Sequence, residues 1–144
     1  MATPGDAPHL NLVYKLVEVE RAGKIQGAAK LSAAKVTYPG RKQIFRFSDA
    51  SGNWAGDRIV LEDEPAGEGL ALLIPVMKDG KRLIPKSTVS EARERCVSGL
   101  ARLPHKYKQI SRPAEYPVNT SHRLEEMLEK LRRRVAGKPS KTKR

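Results

Sequence analysis

The sequence predicts an α+β fold in which small, mostly antiparallel β-hairpins come first, two helices follow, and a basic disordered tail ends the chain. Two observations support this class. Strand-forming residues separated by turn signals occupy the first two thirds, and apolar residues at helical spacing recur only in the last third. A length of 144 residues fits a single domain, with predicted boundaries at residues 1–136 and a flexible tail at residues 137–144.

The first strand is predicted over residues 10–19, where Val13, Leu16 and Val19 are among many apolar side chains. A run with so many apolar residues indicates a strand that crosses the interior of the sheet. Two short turns should follow, at residues 22–24 and at Gln26-Gly27, because both contain glycine.

A basic stretch over residues 30–47 is the most distinctive feature of the chain, with five basic residues and no acidic one. Pro39-Gly40 at its centre fits a type II turn, so residues 35–38 are predicted to pair with residues 44–47. One small surface would then carry all five cations: Lys30, Lys35, Arg41, Lys42 and Arg46. Two interpretations stay open. The stretch is either an edge strand that lysines guard against pairing, which we favour, or a site for an anion.

The middle of the chain predicts further strands and turns. A loop at residues 48–56 places Trp54 over an apolar edge, and a short strand follows at residues 58–61. The acidic residues 62–64 fit a solvated turn or a salt-bridge partner for the basic hairpin better than a cation site, because neighbouring side chains of a strand point to opposite faces. Residues 70–77 form the most hydrophobic segment, and Asp79-Gly80 indicates a type I′ hairpin.

Two helices are predicted near the end of the chain. Thr88 and Glu91 have the spacing of a capping box, and Pro104 should stop the helix that follows. The apolar stripe of this helix is predicted to be core and includes Cys96; its members are Val89, Ala92, Cys96, Leu100 and Leu103. A second helix should begin after residues 119–121 and place Leu124, Leu128, Leu131 and Val135 on one face.

Composition narrows the function classes. A single cysteine excludes an internal disulfide and a cysteine-based zinc cluster, which fits a reducing compartment such as the cytoplasm. His9, His105 and His122 fall in different elements, so their spacing supports neither a metal site nor a catalytic triad. No apolar run has the length of a membrane helix.

The positive charge of the C-terminal residues is relevant to nucleic-acid binding. Residues 132–144 carry seven basic side chains and no acidic one, out of a net charge of +12. Such a tail favours polyanions through counterion release. No aromatic residue lies among these charges to stack on bases, which argues against RNA as the main partner.

Several segments resemble the C-terminal part of nicotinate phosphoribosyltransferase, in the same order and over nearly the whole chain. The similar segments are residues 14–18 (YKLVE), 30–32 (KLS), Lys35, Thr37, 39–43 (PGRKQ), Arg46, 57–64 (DRIVLEDE), 73–83 (LIPVMKDGKRL), 91–103 (EARERCVSGLARL) and 116–118 (YPV). Family members are much longer, and their catalytic α/β barrel precedes this region. The resemblance therefore implies a fragment or split subunit, inactive alone, that works with a barrel segment or with a second chain carrying it.

The resemblance further implies ATP and Mg²⁺ for the whole enzyme, a homodimer when complete, and a reaction with both ligase and glycosyltransferase character in NAD biosynthesis. It gives no catalytic residue and no metal ligand in this chain. Candidate phosphate-binding residues are Lys30, Ser32, Lys35, Thr37, Arg41, Lys42 and Arg46. Two alternatives remain open at this point: a stand-alone basic module that binds RNA or another anion, and a scaffold or dimerisation domain without a ligand.

Overall fold

A computed structural model describes residues 14–32, 35–65 and 67–137 of the chain. It contains ten short strands, two α-helices and one 3₁₀ turn in these ranges. The residues form two compact units. Residues up to Gly40, together with those from Glu126 onward, make the first, and Arg41–Glu125 make the second.

The first unit begins with an antiparallel hairpin of β1 (Glu18–Arg21) and β2 (Lys24–Gly27). Its turn at Ala22 and Gly23 uses positive φ angles of 50° and 71°, as the glycine signal predicts. The second predicted turn is wrong, because Gln26-Gly27 lies inside β2. The predicted first strand is wrong over residues 14–17, which precede β1 and leave Leu16 66% exposed. Residues 10–13 lie outside the described part of the chain.

The second unit contains a four-stranded sheet in the order β10-β6-β5-β7. Its strands are β5 (Lys42–Ser48), β6 (Trp54–Leu61), β7 (Leu70–Ala71) and β10 (Val118–Thr120). Only β10 runs parallel to its neighbour, β6. Phe45, Trp54, Val60 and Leu61 are buried and make the core of this sheet.

Residues 70–77, the most hydrophobic segment of the sequence, do not form one continuous strand. Regular pairing is limited to β7, and Leu73, Ile74 and Val76 are about half exposed or more. Pro75 has no N–H to donate to a ladder, which helps to explain the interruption. The neighbouring hairpin prediction is confirmed: β8 (Met77–Lys78) pairs with β9 (Lys81–Arg82), and both turn residues, Asp79 and Gly80, have positive φ.

Helix α1 (Val89–Arg102) begins at the predicted capping box. The Glu91 N–H donates to the Thr88 hydroxyl at 3.2 Å, and the Thr88 N–H donates to the Glu91 carboxylate at 2.7 Å. These backbone and side-chain bonds hold the pKa of Glu91 below its ordinary value. The helix ends at Leu103, before Pro104, and a 3₁₀ turn follows at His105–Tyr107.

The prediction that the apolar stripe of α1 belongs to the core is wrong. No residue of this helix is buried, and Cys96 is exposed. Helix α2 (His122–Ala136) behaves differently. Three of its four predicted core residues are buried, with Leu124 at 0%, Leu128 at 2% and Leu131 at 9% exposure, whereas Val135 is half exposed. The predicted α+β class, with small sheets and two helices, is confirmed.

Candidate functional site

The predicted basic hairpin does not form. Lys35–Val36 (β4) pairs with Leu31–Ser32 (β3) instead, and β5 pairs with β6 over Lys42 to Ser48. A turn at residues 49–53 connects β5 and β6, where the Asp49 carboxylate accepts the N–H groups of Ser51 and Asn53, both at 2.9 Å. The prediction is therefore wrong about the partner of β5. The positive φ expected at Gly40 is present, at 79°.

Four of the seven phosphate candidates lie in the first unit, around the short β3–β4 ladder. Ser32 and Lys35 are opposite each other in its register. Lys30 and Thr37 close the ladder with two bonds: the Lys30 N–H donates to the Thr37 hydroxyl at 2.8 Å, and the Thr37 N–H donates to the Lys30 carbonyl at 3.2 Å. Thr37 is only 9% exposed, whereas Lys30 is exposed. These bonds extend the β3–β4 ladder by one pair of residues.

The other three candidates lie in the second unit, on and just before β5. Arg41 is exposed, with its guanidinium 3.9 Å from the Glu62 carboxylate. Lys42 opens β5 and is paired in register with Leu61. An exposed ion pair of this length contributes little to stability, so the Arg41 charge stays accessible to solvent.

Arg46 is engaged inside the sheet. Its Nε and Nη2 atoms donate to the two oxygens of Asp57, both at 2.8 Å, and the pair joins residues opposite each other on β5 and β6. The Tyr116 hydroxyl donates to the same carboxylate at 3.2 Å. The hydrogen bond to Asp57 is the largest of the effects that raise the pKa of Arg46. Burial, followed by the Asp57 charge, raises the pKa of Tyr116. Arg46 is thus a structural ion-pair partner in this chain.

Trp54 is the centre of an arginine–aromatic cluster. The guanidinium carbon of Arg102 lies 3.5 Å from the Trp54 ring centroid, and that of Arg46 lies 5.3 Å from it. The Trp54 indole N–H donates to the Gly99 carbonyl of α1 at 3.1 Å. The predicted burial of Trp54 is confirmed, at 8% exposure.

The same cluster holds the C-terminal end of α1 against the β5–β6 turn. Arg102 donates to the Gly52 carbonyl and to the Ser48 hydroxyl, both at 2.8 Å. Sequence reasoning missed this contact, because no local pattern links an arginine of the helix to a turn about fifty positions earlier. The bond separations of 50 and 54 residues make the contact purely tertiary.

The acidic residues 62–64 have different partners. Glu62 lies 3.9 Å from Arg41 of the basic stretch, as predicted, whereas the partners of Asp63 and Glu64 lie outside that stretch. Asp63 pairs with Arg123 at 2.9 Å, and this bond lowers the pKa of Asp63. Glu64 accepts the Leu61 N–H and the Ser121 hydroxyl, both at 2.7 Å. In the part of the chain that the structure describes, no three His, Cys, Asp or Glu side chains converge as a metal site would require.

Two histidines are described, and they lie in separate elements. His105 opens the 3₁₀ turn and His122 opens α2. His9 lies outside the described residues. No described helix is long and apolar enough to cross a membrane.

Comparison with known proteins shows which family this sequence resembles. Residues 68–128 match the family model of the nicotinate phosphoribosyltransferase C-terminal domain. The chain is 34% identical to nicotinate phosphoribosyltransferase of Bacillus subtilis (strain 168), with 84% of this chain and 30% of that protein covered. It is 35% identical to nicotinate phosphoribosyltransferase pncB2 of Mycobacterium tuberculosis, with 88% of this chain and 27% of that protein covered.

A solved structure is also similar. The crystal structure of human nicotinic acid phosphoribosyltransferase superposes with a TM-score of 0.67 at 26% identity, and it covers 83% of this chain and 26% of the human one. The chain thus spans less than a third of the length of these relatives. Both the sequence and the fold of this chain match the C-terminal portion of nicotinate phosphoribosyltransferases.

Proposed function

We propose that this chain works as the C-terminal portion of a nicotinate phosphoribosyltransferase. The complete enzyme would join nicotinate to phosphoribosyl pyrophosphate with ATP, forming nicotinate mononucleotide in the salvage branch of NAD biosynthesis in the cytoplasm. The observation that carries this proposal is the agreement of sequence and fold over more than four fifths of the chain. The names of these relatives state the activity for those proteins.

In this proposal the chemistry belongs to a catalytic barrel segment, in the same polypeptide or in a second chain, and we assign no catalytic residue here. ATP and Mg²⁺ would bind the barrel, and the complete enzyme would be a homodimer. Its coupling of glycosyl transfer to ATP would give it ligase character. The contribution of the present chain would be positive charge near phosphates, which fixed cations supply without reorganisation during the reaction.

The candidates for that role are the basic and hydroxyl residues identified from the sequence. Exposure supports Lys30 and Arg41. The ion pair with Asp57 makes Arg46 the weakest candidate, since its charge is already neutralised. The alternative of a stand-alone RNA- or anion-binding module is not favoured by any similarity found.

A fusion protein tests the proposed activity. The portion of the Bacillus subtilis enzyme that precedes the matched segment is joined in frame to this chain. We expect the fusion to form nicotinate mononucleotide, whereas the chain alone should neither form it nor hydrolyse ATP, because its partner segment supplies the reaction centre. The Bacillus segment without this chain is the control. Turnover by the isolated chain, or a fusion that has a normal circular dichroism spectrum but is inactive, would contradict the proposal.

The phosphate role is tested in the same fusion by changing Lys35→Gln together with Arg41→Gln. If these cations bind phosphate, KM for phosphoribosyl pyrophosphate or ATP should rise about tenfold or more, because charge-assisted hydrogen bonds contribute roughly 1.5 to 3 kcal/mol. Lys24→Gln, in the β1–β2 hairpin outside the candidate set, is the matched control. Unchanged KM and kcat, with an unchanged melting curve, would show that the basic residues only occupy a solvated edge.

A further inference from the structure

Helix α1 displays its apolar stripe to solvent. Val89 is 87% exposed and Leu100 is 51% exposed, and Cys96 on the same stripe is exposed as well; Val97, which adjoins the stripe, is 58% exposed. Positions three, four and seven apart lie on one side of a helix, so these side chains form a continuous strip. An amphipathic helix of a globular unit normally buries this side.

The polar side of α1 is exposed as well. Glu91, Glu94, Arg95 and Ser98 are exposed and line an open groove of about 710 Å³, together with Ile74 and Ile84. No side of the helix is therefore buried, although its sequence predicts that the apolar side packs into the core.

Specific bonds fix the position of α1. The Trp54 indole donates to the Gly99 carbonyl, and Arg102 stacks on the Trp54 ring while it donates to Gly52 and Ser48. At the other end, the capping box defines the first turn. Hydrogen bonds and a stacked guanidinium fix the C-terminal end of the helix. The helix therefore cannot rotate about its axis to bury the apolar stripe.

Further apolar side chains of the same unit are exposed. They follow one another along residues 70–83: Leu70, Leu73, Ile74, Val76, Met77 and Leu83, with exposures between 49% and 66%. Scattered single apolar residues on a surface need no explanation, but runs of them mark interaction sites.

We propose that the solvent-facing apolar stripe of α1 is the surface on which the remaining part of a nicotinate phosphoribosyltransferase docks. The proposal rests on the proposed function and identifies the contact that assembly would use. The relatives carry roughly 70% or more of their length beyond the segment matched here, so a large protein surface is available in them to cover the stripe. A second copy of this chain is a poorer occupant, because two chains of net charge +12 repel each other.

Cys96 gives a direct readout of docking, because it is the only cysteine of the chain and lies on the stripe. Labelling by a maleimide, followed by peptide mass spectrometry, is compared between the isolated chain and the fusion with the Bacillus segment. We expect at least tenfold slower labelling of Cys96 in the fusion. This readout does not depend on catalysis, so an inactive fusion that protects Cys96 would leave docking supported while the proposed function fails. Equal labelling rates would overturn the docking proposal even in an active fusion.

Substitutions on α1 test whether the apolar stripe is the docking surface. Val89→Asp with Val97→Asp should leave the melting temperature of the isolated chain nearly unchanged, because both side chains are already exposed. In the fusion the same pair should return the Cys96 labelling rate to that of the isolated chain. Ile25→Asp, at a 65% exposed position of β2, is the matched control and should preserve protection. Protection that survives the double change, or that is lost equally in the control, would contradict the proposal. So would an isolated chain that forms a dimer in light scattering and already protects Cys96.

Discussion

Replacing Leu124 with alanine is expected to lower the free energy of unfolding by about 3 to 5 kcal/mol. The side chain is 0% exposed, and truncating a fully buried leucine removes its transfer free energy and leaves a cavity that neighbours fill only in part. A loss of that size is a large fraction of the about 5 to 15 kcal/mol that stabilises a typical domain. Urea unfolding of the purified chain, followed by circular dichroism, measures it.

Leu16→Ala is the matched control for this prediction. The same chemical change there removes a side chain that is 66% exposed, so the midpoint of unfolding should hardly move. Similar losses for the two variants would show that Leu124 is not packed as described.

Replacing Asp57 with alanine is expected to cost about 2 to 4 kcal/mol. The carboxylate accepts two bonds from Arg46 and one from Tyr116, and its side chain is only 11% exposed. Its removal leaves the partly buried Arg46 guanidinium without its counter-charge, which is the costly half of breaking a buried ion pair. The estimate lies below the range for fully buried pairs because the Arg46 side chain is 30% exposed.

Asp63→Ala provides the comparison for that change. Asp63 also pairs with an arginine, Arg123, at 2.9 Å, but both side chains are more than half exposed. Thermal unfolding should therefore be nearly unchanged in Asp63→Ala and clearly shifted in Asp57→Ala. If Asp57→Asn, which keeps the size and shape of the side chain but removes its charge, destabilises as little as Asp63→Ala, the ion pair does not have the structural role assigned to it.

The segment that contains the phosphate candidates shows which structural features a local sequence pattern predicts and which it does not. The turn residues Pro39-Gly40 correctly predicted a positive φ at Gly40, but the hairpin built on that turn was wrong. A strand has two edges, and those of β5 pair with β6 and β7, whereas Lys35–Val36 pair with Leu31–Ser32. Because β7 follows only after β6 and a further loop, no local pattern shows that it takes the second edge of β5.

The sequence by itself determined the features that depend on a few adjacent residues: the Thr88–Glu91 capping box and the Asp79-Gly80 hairpin turn. In each of them a few neighbouring residues contain all the interacting groups. Only the tertiary structure decided the partners of β5, the stacking of Arg102 on Trp54 and the burial of the apolar stripes, which is present in α2 and absent in α1. Hydrophobic periodicity shows that a helix has an apolar side, but whether that side is buried depends on contacts with distant segments of the chain.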